Sequence, residues 1–422
     1  MSTADSSGFQ GADALRVLQE RGFVQQCTDL EGVERLLSEG PVTFYAGFDP
    51  TGSSLHAGHM IPLYAMAHLV RAGHQALALV GGGTARIGDP SGKTEMRKML
   101  TIEQIEQNAR SIGSQIHDFL LRTSGRADGV KMVNNADWLA NLNYIDFLRD
   151  IGKHFSVNRM LTFEAYKQRL ETGLTFIEFN YQLLQSYDFH ILSRDHSCRL
   201  QLGGDDQWGN IVAGIDLERR LGGAELFGLT MPLVTRADGK KMGKSEKGAV
   251  FLDPQLYTPY DFFQYWRNVP DADVRKFLLL YTFLPVDEIK QLTDCEGQAL
   301  NSAKERLAFE LTRLVHGDET AEESLAGAKA AFAGGGNIEH MPSGDLELSE
   351  LENGIAVVDL FVKAGLCKSK GEARRLITQG GARLQDKKID DQEQMVGTDV
   401  LDNNEIVLRA GKKRVFRFVV VK

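Results

Sequence analysis

The region that most constrains the fold lies where a strand pattern changes to a helical pattern across a short polar loop. Residues 42–48, VTFYAGF, are β-branched and aromatic, and after the loop DPTGSS the apolar residues from Leu55 to Val70 recur at helical spacing. A second strand pattern covers residues 76–80 and ends at the glycines 81–83. Strand, helix and strand in this order predict an α/β fold with a Rossmann-like, doubly wound parallel sheet. In such sheets ligands bind beyond the carboxyl ends of the strands.

Periodicity and composition divide the rest of the chain. A strand pattern covers residues 199–203, and helical patterns cover residues 102–123, 176–189 and 259–333. The stretch AGGGNIEHMPSGDLELSE at 333–350 is rich in Gly, Pro and acidic residues, which is typical of a linker. The predicted divisions are a Rossmann-like domain at 1–250, a helical domain at 251–333, a linker at 334–354 and a small domain at 355–422.

Composition limits the class of protein. The 422 residues are 42% hydrophobic and 25% charged, which predicts a globular chain with a sizeable core. The sequence begins without the basic and apolar parts of a secretory signal, and no apolar run reaches the roughly 18 residues of a membrane helix. We therefore expect a cytoplasmic protein with no membrane span. The four cysteines lie far apart, so the sequence predicts neither a disulfide framework nor a protein-bound metal.

Basic charge is concentrated in the last part of the chain. The formal net charge is −9, whereas residues 355–422 contain 14 Lys/Arg and 9 Asp/Glu and so carry +5. The negative total argues against a protein that coats nucleic acid indiscriminately, while the basic segment predicts a local surface for a polyanion.

Two histidines follow the polar loop at the start of the first predicted helix. His56 and His59 are three residues apart, so both rings point to one side, beside the partly positive helix N-terminus, which suits a phosphate. Glycines in the loop let a ligand approach the backbone, and Thr51 supplies a hydroxyl donor. An alternative is that Ser54 is simply a helix N-cap and the histidines are structural.

A lysine-rich loop follows much later in the chain. Residues 241–245, KMGKS, come after the turn at Asp238-Gly239 and place two ammonium groups and a hydroxyl where they can hold a polyphosphate. By itself the same run also fits a solvated charged turn.

The stretch GDPSGKT at 88–94 is not a P-loop. It has three residues between its glycines where that motif needs four. Asp89 adds negative charge and Pro90 lacks an N–H at positions where phosphate needs donors.

Taken together, these motifs resemble a known family. HAGH and KMGKS are similar to the HIGH and KMSKS signatures of class I aminoacyl-tRNA synthetases. With YAGFDPTGSSLHAGH, GDPSGK, YDF and GGDDQWGN, they resemble the bacterial tyrosyl-tRNA synthetases over essentially the whole chain. The resemblance implies activation of L-tyrosine with ATP to tyrosyl-adenylate and pyrophosphate, and transfer of tyrosine to the 3′-terminal adenosine of tRNA(Tyr). It also implies a homodimer, and Mg²⁺ that arrives with ATP.

Helical spacing places Tyr181, Gln185 and Asp188 on one face of a predicted helix, where a buried Asp188 carboxylate needs a donor. The resemblance implies that this donor is the tyrosine phenol, held between Tyr45 and Asp188. The tyrosine-binding residues that it implies are Tyr45, Asp89, Asn135, Tyr181, Gln185, Asp188 and Gln207.

The resemblance also implies the residues that act on ATP. The attacking carboxylate is already ionised near neutral pH, so positioning and charge stabilisation dominate the catalysis. The implied catalytic residues are Thr51, His56, His59, Lys93, Arg97, Lys241 and Lys244. The implied ATP-binding residues are Gly47, Asp49, Gly203, Gly204, Asp206, Lys244 and Ser245.

The basic segment has a recognisable pattern of its own. Residues 369–389 predict a basic helix, a turn and a strand, and resemble the small RNA-binding fold of a ribosomal small-subunit protein and of pseudouridine synthases. Lys370, Arg374 and Arg375 on this helix are expected to contact tRNA phosphates. A merely solvated basic helix is the alternative.

Two other functions remain open. A tryptophanyl-tRNA synthetase shares the fold and the reaction, although Tyr45 and Asp188 favour a phenol over an indole. A noncatalytic RNA-binding protein on the same frame is the second alternative, and the intact HAGH and KMGKS motifs argue against it.

Three positions depart from the family pattern, namely Ala46, Pro62 and Gly243.

Overall fold

The computed structural model describes residues 11–91, 99–235, 237, 242–245, 248–333, 343–385, 387–402, 404–411 and 414–421. The chain divides into two compact units. The first consists of Met1–Tyr257 and Asn268–Leu307, and the second of Thr258–Arg267 and Ala308–Lys422.

The first unit is built on a mostly parallel sheet. Its strands are β1 Gln26–Cys27, β2 Thr43–Phe48, β3 Gln75–Val80, β4 Val130–Asn134, β5 Cys198–Gly204 and β6 Phe227–Met231. Among the described residues they pair in the order β1-β6-β5-β2-β3-β4, and only β1 runs antiparallel to its neighbour. A separate hairpin pairs β7 Lys244–Ser245 with β8 Gly248–Ala249.

Helices connect these strands and continue beyond them. In chain order they are α1 Gly11–Glu20, α2 Leu30–Ser38, α3 Met60–Arg71, α4 Ile102–Ser124, α5 Ala136–Leu139, α6 Tyr144–Asp150, α7 Val157–Met160, α8 Glu164–Thr172, α9 Phe176–Phe179, α10 Tyr181–His196, α11 Trp208–Arg220, α12 Pro259–Arg267, α13 Val274–Tyr281, α14 Val286–Thr293, α15 Asn301–His316 and α16 Asp318–Ala333. None of the helices in the described part of the chain is long and apolar enough to cross a membrane.

The central strands are covered on both faces. Neighbouring side chains such as Phe44 and Tyr45 on β2, or Leu77 and Ala78 on β3, are all buried. Strands covered in this way lose the alternation of exposed strands and become continuous apolar runs, which is the pattern seen in the sequence. The predicted doubly wound sheet is confirmed, with strands and a helix within one residue of the predictions at 42–48, 76–80, 199–203 and 102–123.

Two predicted helices differ from the structure. The helical spacing from Leu55 begins as a 3₁₀ turn at Ala57–His59, which His56 caps, and α3 starts only at Met60. The pattern at 176–189 divides at Asn180 into α9 and α10, and α10 continues beyond the predicted end.

The strand order reverses between β2 and β5. Strands β2, β3 and β4 follow one another to one side, whereas β5 and β6 lie on the other side. Parallel neighbours whose connections leave in opposite directions form a crevice at their carboxyl ends. The loops after β2 and β5 therefore open onto the same crevice.

The predicted helical domain at 251–333 is not a unit of its own. Its first residues, 251–257, and its middle part, Asn268–Leu307, belong to the first unit, whereas Thr258–Arg267 and residues 308–333 belong to the second. The buried Arg21 gives the physical reason, because its guanidinium donates hydrogen bonds to the carbonyl oxygens of Leu279 (3.0 Å) and Thr282 (2.8 Å). Contacts between segments so far apart leave no trace in local periodicity.

The second unit ends in a small α/β domain. Its strands are β9 Ser343–Glu347, β10 Ile355–Ala356, β11 Ala382–Leu384, β12 Lys387–Lys388, β13 Met395–Val396, β14 Glu405–Ala410 and β15 Arg414–Val421. Its helices are α17 Leu348–Glu352, α18 Val357–Lys363 and α19 Lys370–Thr378. Among the residues that the structure describes, the main sheet has the order β12-β11-β14-β15-β9, and β10 pairs with β13.

The predicted linker at 334–354 extends too far. Strand β9 pairs in parallel with β15, and Leu346 and Leu351 are fully buried in the core of the small domain. The Gly-rich and acidic composition concealed a strand that sends few apolar side chains into that core. Residues 334–342 lie outside the described part of the chain.

Candidate active site

A cavity of about 240 Å³ lies at the carboxyl ends of β2 and β5, where the strand order reverses. The predicted residues that line it are Tyr45, Gly47, Asp49, Thr51, His59, Asp89, Asn135, Tyr181, Gln185, Asp188, Gly203, Gly204, Asp206 and Gln207. Helix α10 contributes Tyr181, Gln185 and Asp188 from one face, as their spacing predicts. The fold thus brings all seven residues predicted for the amino acid, and some of those predicted for the nucleotide, into one cavity.

The Asp188 carboxylate is 1% exposed and accepts two hydrogen bonds from the protein. Its Oδ1 accepts from Trp138 Nε1 at 2.7 Å, and its Oδ2 accepts from Asn135 Nδ2 at 2.9 Å. Burial raises the pKa of Asp188 to about 8, although the hydrogen bonds from Asn135 and Trp138 lower it, and the charge of Asp49 raises it further. A ligand that donates a hydrogen bond to this carboxylate therefore favours its ionised form.

Asp188 is one end of a chain of hydrogen bonds along the cavity wall. Asn135 Nδ2 also donates to Thr84 Oγ1 (2.9 Å), and the Thr84 hydroxyl donates to Asp49 Oδ1 (2.8 Å). The Tyr181 hydroxyl donates to Asp49 Oδ2 at 2.9 Å. The two carboxylates are thus stabilised by uncharged donors, which offset the loss of water.

A glycine after β3 makes this arrangement possible. A Cβ atom on Gly81 would lie 2.0 Å from Asp49 Oδ1 and 2.5 Å from Thr84 Oγ1, far inside contact distance. The glycine run, which the sequence marks only as a strand end, therefore allows Asp49 to approach the loop that carries Thr84.

Two polar atoms of the cavity residues have no hydrogen-bond partner among the described residues. They are the Tyr45 hydroxyl and Gln201 Oε1, on residues that are 1% and 3% exposed and pair across β2 and β5. Burial raises the pKa of Tyr45 well above its ordinary value, and the charge of Asp188 adds to the shift, so the hydroxyl keeps its proton. Buried polar groups normally have a hydrogen-bond partner, and in this cavity a polar ligand or water can supply it.

The opposite side of the cavity is organised by an amide, Asn210. Gln207 Nε2 donates to Asp89 Oδ2 (2.7 Å), and Gln207 Oε1 accepts from Asn210 Nδ2 (3.1 Å). Asn210 Nδ2 also donates to Gln185 Oε1 at 3.1 Å. Burial raises the pKa of the neighbouring Asp206, and the charge of Asp89 adds to that shift. Asn210 therefore fixes two of the predicted tyrosine-binding side chains.

His56 and His59 lie on the same side of their turn, as predicted, with ring centroids 3.9 Å apart. His56 Nδ1 accepts from the Gly58 N–H (3.0 Å), and His59 Nδ1 accepts from the His56 N–H (3.1 Å). A neutral ring whose Nδ1 accepts carries its proton on Nε2, so each histidine holds an N–H donor. His59 lines the cavity, whereas His56 is not among the lining residues. The alternative is wrong in placing the cap at Ser54, because His56 caps the turn, but both histidines do have a structural role in that cap. Their roles in binding phosphate stay predictions.

The lysine motif packs against the histidine motif. The Val250 N–H donates to the Gly243 carbonyl (2.8 Å), and the Ala57 N–H donates to the Val250 carbonyl (2.8 Å). A Cβ atom on Gly243 would lie 2.8 Å from the backbone nitrogen of Gly58. Two motifs that are far apart in sequence are therefore in contact beside the cavity.

Comparisons with known proteins identify the family. A model of the family described as tRNA synthetases class I (W and Y) matches residues 37–333. The chain belongs to this class I synthetase family. A second model, the tyrosine–tRNA ligase SYY-like C-terminal domain, matches residues 336–418 of the synthetase.

Relatives of the synthetase support the resemblance seen in its motifs. The tyrosine–tRNA ligase of Treponema denticola is 61% identical over 96% of this chain and 99% of that protein. The tyrosine–tRNA ligase of Treponema pallidum is 57% identical over 96% and 98%. The C-terminally truncated mitochondrial tyrosyl-tRNA synthetase of Aspergillus nidulans has a TM-score of 0.67 and 27% identity, over 74% of this chain and 92% of that chain.

Several predicted residues of the synthetase are not among the described residues that line the cavity. Lys93, Arg97 and Lys241 are outside the described residues. Lys244 and Ser245 form β7 beside the histidine motif, and Lys370, Arg374 and Arg375 lie on α19 in the second unit. The roles predicted for these residues stay predictions.

Sequence reasoning missed four polar residues of the site: Thr84, Trp138, Gln201 and Asn210. The sequence spacing could have identified two of them. Trp138 follows the predicted residue Asn135 by three positions and Asn210 follows Gln207 by three, each at the start of a helix, so each pair shares a helix face. Thr84 and Gln201 had no such signal.

Two of the three departures from the family pattern, Pro62 and Gly243, have local explanations. Pro62 is the third residue of α3, where the N–H of an ordinary residue has no partner within the helix, so no kink is needed. Ala46 is fully buried and lines the cavity, but it offers no polar group. Gly243 has φ +77°, a conformation that a residue with a side chain rarely adopts.

The substitution Gly243→Ala should separate the two motifs. Gly248→Ala is the matched control, since Gly248 lies on the same hairpin at φ +110° but has nothing within 4 Å of a built Cβ, so it tests backbone strain alone. We expect Gly243→Ala to raise the KM for ATP in pyrophosphate exchange about tenfold or more relative to Gly248→Ala. Its Cβ would lie 2.8 Å from the Gly58 nitrogen and force the two motifs apart, and a shift of about 1 Å in a catalytic group can cost about 100-fold. Equal KM values for the two variants would show that the close approach to Gly58 is unimportant.

Proposed function

We propose that this cavity activates L-tyrosine with ATP, forming tyrosyl-adenylate and pyrophosphate, and then transfers tyrosine to the 3′-terminal adenosine of tRNA(Tyr). The observation that carries the proposal is the buried Tyr45 hydroxyl, which lacks a partner among the described residues and shares the cavity with the Asp188 carboxylate. A phenol between them accepts a hydrogen bond from Tyr45 and donates one to Asp188. The two Treponema relatives are named for the same activity.

The same pair of groups disfavours other aromatic amino acids. Phenylalanine has no hydroxyl and would leave the Tyr45 and Asp188 groups buried without the bonds that a phenol makes, which is costly. The indole of tryptophan has one N–H donor and no acceptor, so it cannot accept from Tyr45. Tyrosine is therefore favoured over tryptophan, the alternative that the sequence left open.

The polar end of the amino acid fits the other side of the cavity. The Asp89 carboxylate attracts the α-ammonium group, and Tyr181 and Gln185 offer oxygen acceptors from α10. Gln207 lies next to Asp89 and supplies an amide near the substrate carboxylate. Asn135 acts through Asp188, since its amide nitrogen already donates to that carboxylate.

ATP is the second substrate, as in class I synthetases generally. We assign the ribose to Gly47, Gly203, Gly204 and Asp206, and the phosphates to Thr51, His56, His59, Lys93, Arg97, Lys241, Lys244 and Ser245. The Asp49 carboxylate accepts from Tyr181 and Thr84, so we assign only its backbone to ATP. Among the described residues no cluster of His, Cys, Asp or Glu is arranged to hold a metal. We therefore assign Mg²⁺ to the phosphates of the incoming ATP.

The activation step needs no protein base. The tyrosine carboxylate attacks the α-phosphorus, a new C–O–P linkage forms, and the bond to the bridging oxygen breaks to release pyrophosphate. Thr51, His56 and His59 donate to oxygens whose charge grows in the transition state, which lowers the barrier without moving a proton. Each such bond to a charged group is worth roughly 1.5–3 kcal/mol, or about 10- to 150-fold in rate.

Pyrophosphate exchange tests the choice of amino acid. We expect exchange that depends on tyrosine and falls about 10- to 150-fold or more in Asp188→Asn, because the variant cannot provide the charged acceptor for the phenol. Tryptophan-dependent exchange would favour the tryptophanyl alternative. Absence of exchange with any amino acid would favour the noncatalytic RNA-binding protein.

The pH dependence of tyrosine binding gives a second readout for the same variant. The phenol donates to ionised Asp188, whose pKa is about 8, so tyrosine affinity should rise with pH between pH 6 and 8 and then level off. In calorimetric titrations, the affinity of Asp188→Asn for tyrosine should not rise with pH in this range.

We assign tRNA contact to α19 in the small domain. Lys370 pairs with Asp359 at 2.7 Å and Arg374 pairs with Glu393 at 3.2 Å, while all three basic side chains, Arg375 included, are exposed. Phosphates can replace these exposed carboxylate partners at little cost, because exposed ion pairs contribute little stability. A tRNA substrate also implies a cytoplasmic site of action.

The triple variant Lys370→Gln, Arg374→Gln, Arg375→Gln tests this assignment. We expect the KM for tRNA in aminoacylation to rise at least tenfold and the salt dependence of tRNA binding to weaken by about two to three counterions. Tyrosine-dependent exchange should not change, since α19 lies outside the cavity residues. A variant that charges tRNA normally would identify α19 as a solvated helix.

We also propose a homodimer, supported by large apolar side chains exposed between residues 144 and 176. Ile145 and Phe176 are each 70% exposed, and Val157 is 56% exposed. Single exposed apolar residues scattered over a surface are common and need no partner. These residues lie within one segment of the chain, which suits a surface that a second subunit covers.

Sedimentation tests the homodimer. We expect a dimer at micromolar concentration, and a monomer for Phe176→Asp, since a buried unpaired carboxylate is costly at an interface. Leu256→Asp is the control, at a residue 49% exposed outside this segment, and should stay dimeric. A monomeric unsubstituted chain would contradict the proposal.

A further inference from the structure

The loop that carries Thr51 is attached at both ends to α4. Residues 51–53 are exposed between β2 and the histidine turn. On α4, Asn108 and Gln115 are seven residues apart and so share a face. Asn108 Nδ2 donates to the Pro50 carbonyl at 3.1 Å, before the exposed residues, and Gln115 Oε1 accepts from the Leu55 N–H at 2.8 Å, after them.

Gln115 also contacts a buried serine that joins three segments. Its Nε2 donates to Ser54 Oγ (3.2 Å), as does the Asp253 N–H (3.2 Å), and the Ser54 hydroxyl donates to the Leu55 carbonyl (2.8 Å). A hydroxyl can donate once and accept twice, so these bonds use its full capacity. Ser54 is 6% exposed and links α4, the histidine motif and the segment that follows the lysine motif.

We propose that Gln115, together with Asn108, is a positioning residue for tyrosine activation. Neither residue is among those lining the cavity. They act through Pro50, Ser54 and Leu55, and so set the place of Thr51 and of the histidine turn relative to the sheet. This inference rests on the proposed function.

The reason lies in the geometry of the loop. Three exposed residues in sequence have many conformations, and the two hydrogen bonds from α4 restrict both ends of this stretch. They add to the bond between Ala57 and Val250, which holds the turn against the lysine motif but does not fix it to α4. A displacement of about 1 Å in a catalytic group can cost about 100-fold in rate. The groups that select tyrosine lie on β2 and α10, so their position does not depend on Gln115. Loss of Gln115 should therefore lower kcat and leave tyrosine binding unchanged.

The variant Gln115→Met keeps the size of the side chain and removes its hydrogen bonds to Leu55 and Ser54. We expect its kcat in tyrosine-dependent pyrophosphate exchange to fall about 10- to 100-fold, with the KM for tyrosine within about twofold of the unsubstituted chain. Gln107→Met is the matched control, an exposed glutamine on the same helix, and should retain full activity. Gln115→Glu keeps an acceptor for the Leu55 N–H and should recover most of the lost rate.

The proposal is overturned if Gln115→Met, folded by its thermal transition, has the kcat of Gln107→Met, or if its loss appears in the KM for tyrosine. If Gln115→Met unfolds, Asn108→Ala tests the proposal instead, since Asn108 is partly exposed and its substitution disturbs the core less. A fall in the kcat of Asn108→Ala supports the proposal, and an unchanged kcat overturns it. Failure of the proposed function differs from both outcomes, because the unsubstituted chain and Gln107→Met would then lack tyrosine-dependent exchange.

Discussion

The site depends on how two carboxylates, Asp49 and Asp188, are stabilised near each other. Their partners are hydroxyl, amide and indole donors, in the chain from Tyr181 through Thr84 and Asn135 to Trp138. Neutral donors hold the carboxylates in place without cancelling their charge. A lysine or arginine against Asp188 would have lowered its pKa and competed with the phenol. With the present partners the pKa stays at about 8, so a hydrogen bond from the ligand determines whether the carboxyl is ionised near neutral pH.

This chain of hydrogen bonds can form because the sheet is parallel. Asp49 follows β2, Thr84 follows β3 and Asn135 follows β4, and the carboxyl ends of these strands share one edge. The glycine run after β3 then removes the Cβ atoms that would keep the first two loops apart. The same topology that creates the crevice between β2 and β5 therefore also supplies the donors along its wall.

The sequence predicted features that repeat locally and missed those that depend on distant contacts. The strands, α4 and the shared face of Tyr181, Gln185 and Asp188 follow from periodicity, which hydrophobic burial imposes directly. The division of the helical region was wrong because Arg21 links segments about 260 residues apart. The spacing of Trp138 from Asn135 predicts that the two residues are neighbours, but nothing in the sequence indicates that both donate to the same carboxylate.

The unpaired groups in the cavity also bear on whether this frame still works as an enzyme. Tyr45 OH and Gln201 Oε1 are buried without partners among the described residues, and each such group costs about 1–3 kcal/mol. A protein that only bound RNA would gain stability from apolar residues at both positions and would lose nothing. A site that selects a phenol needs at least the Tyr45 hydroxyl. The retained cost is therefore easier to explain in a catalyst than in a noncatalytic RNA-binding protein.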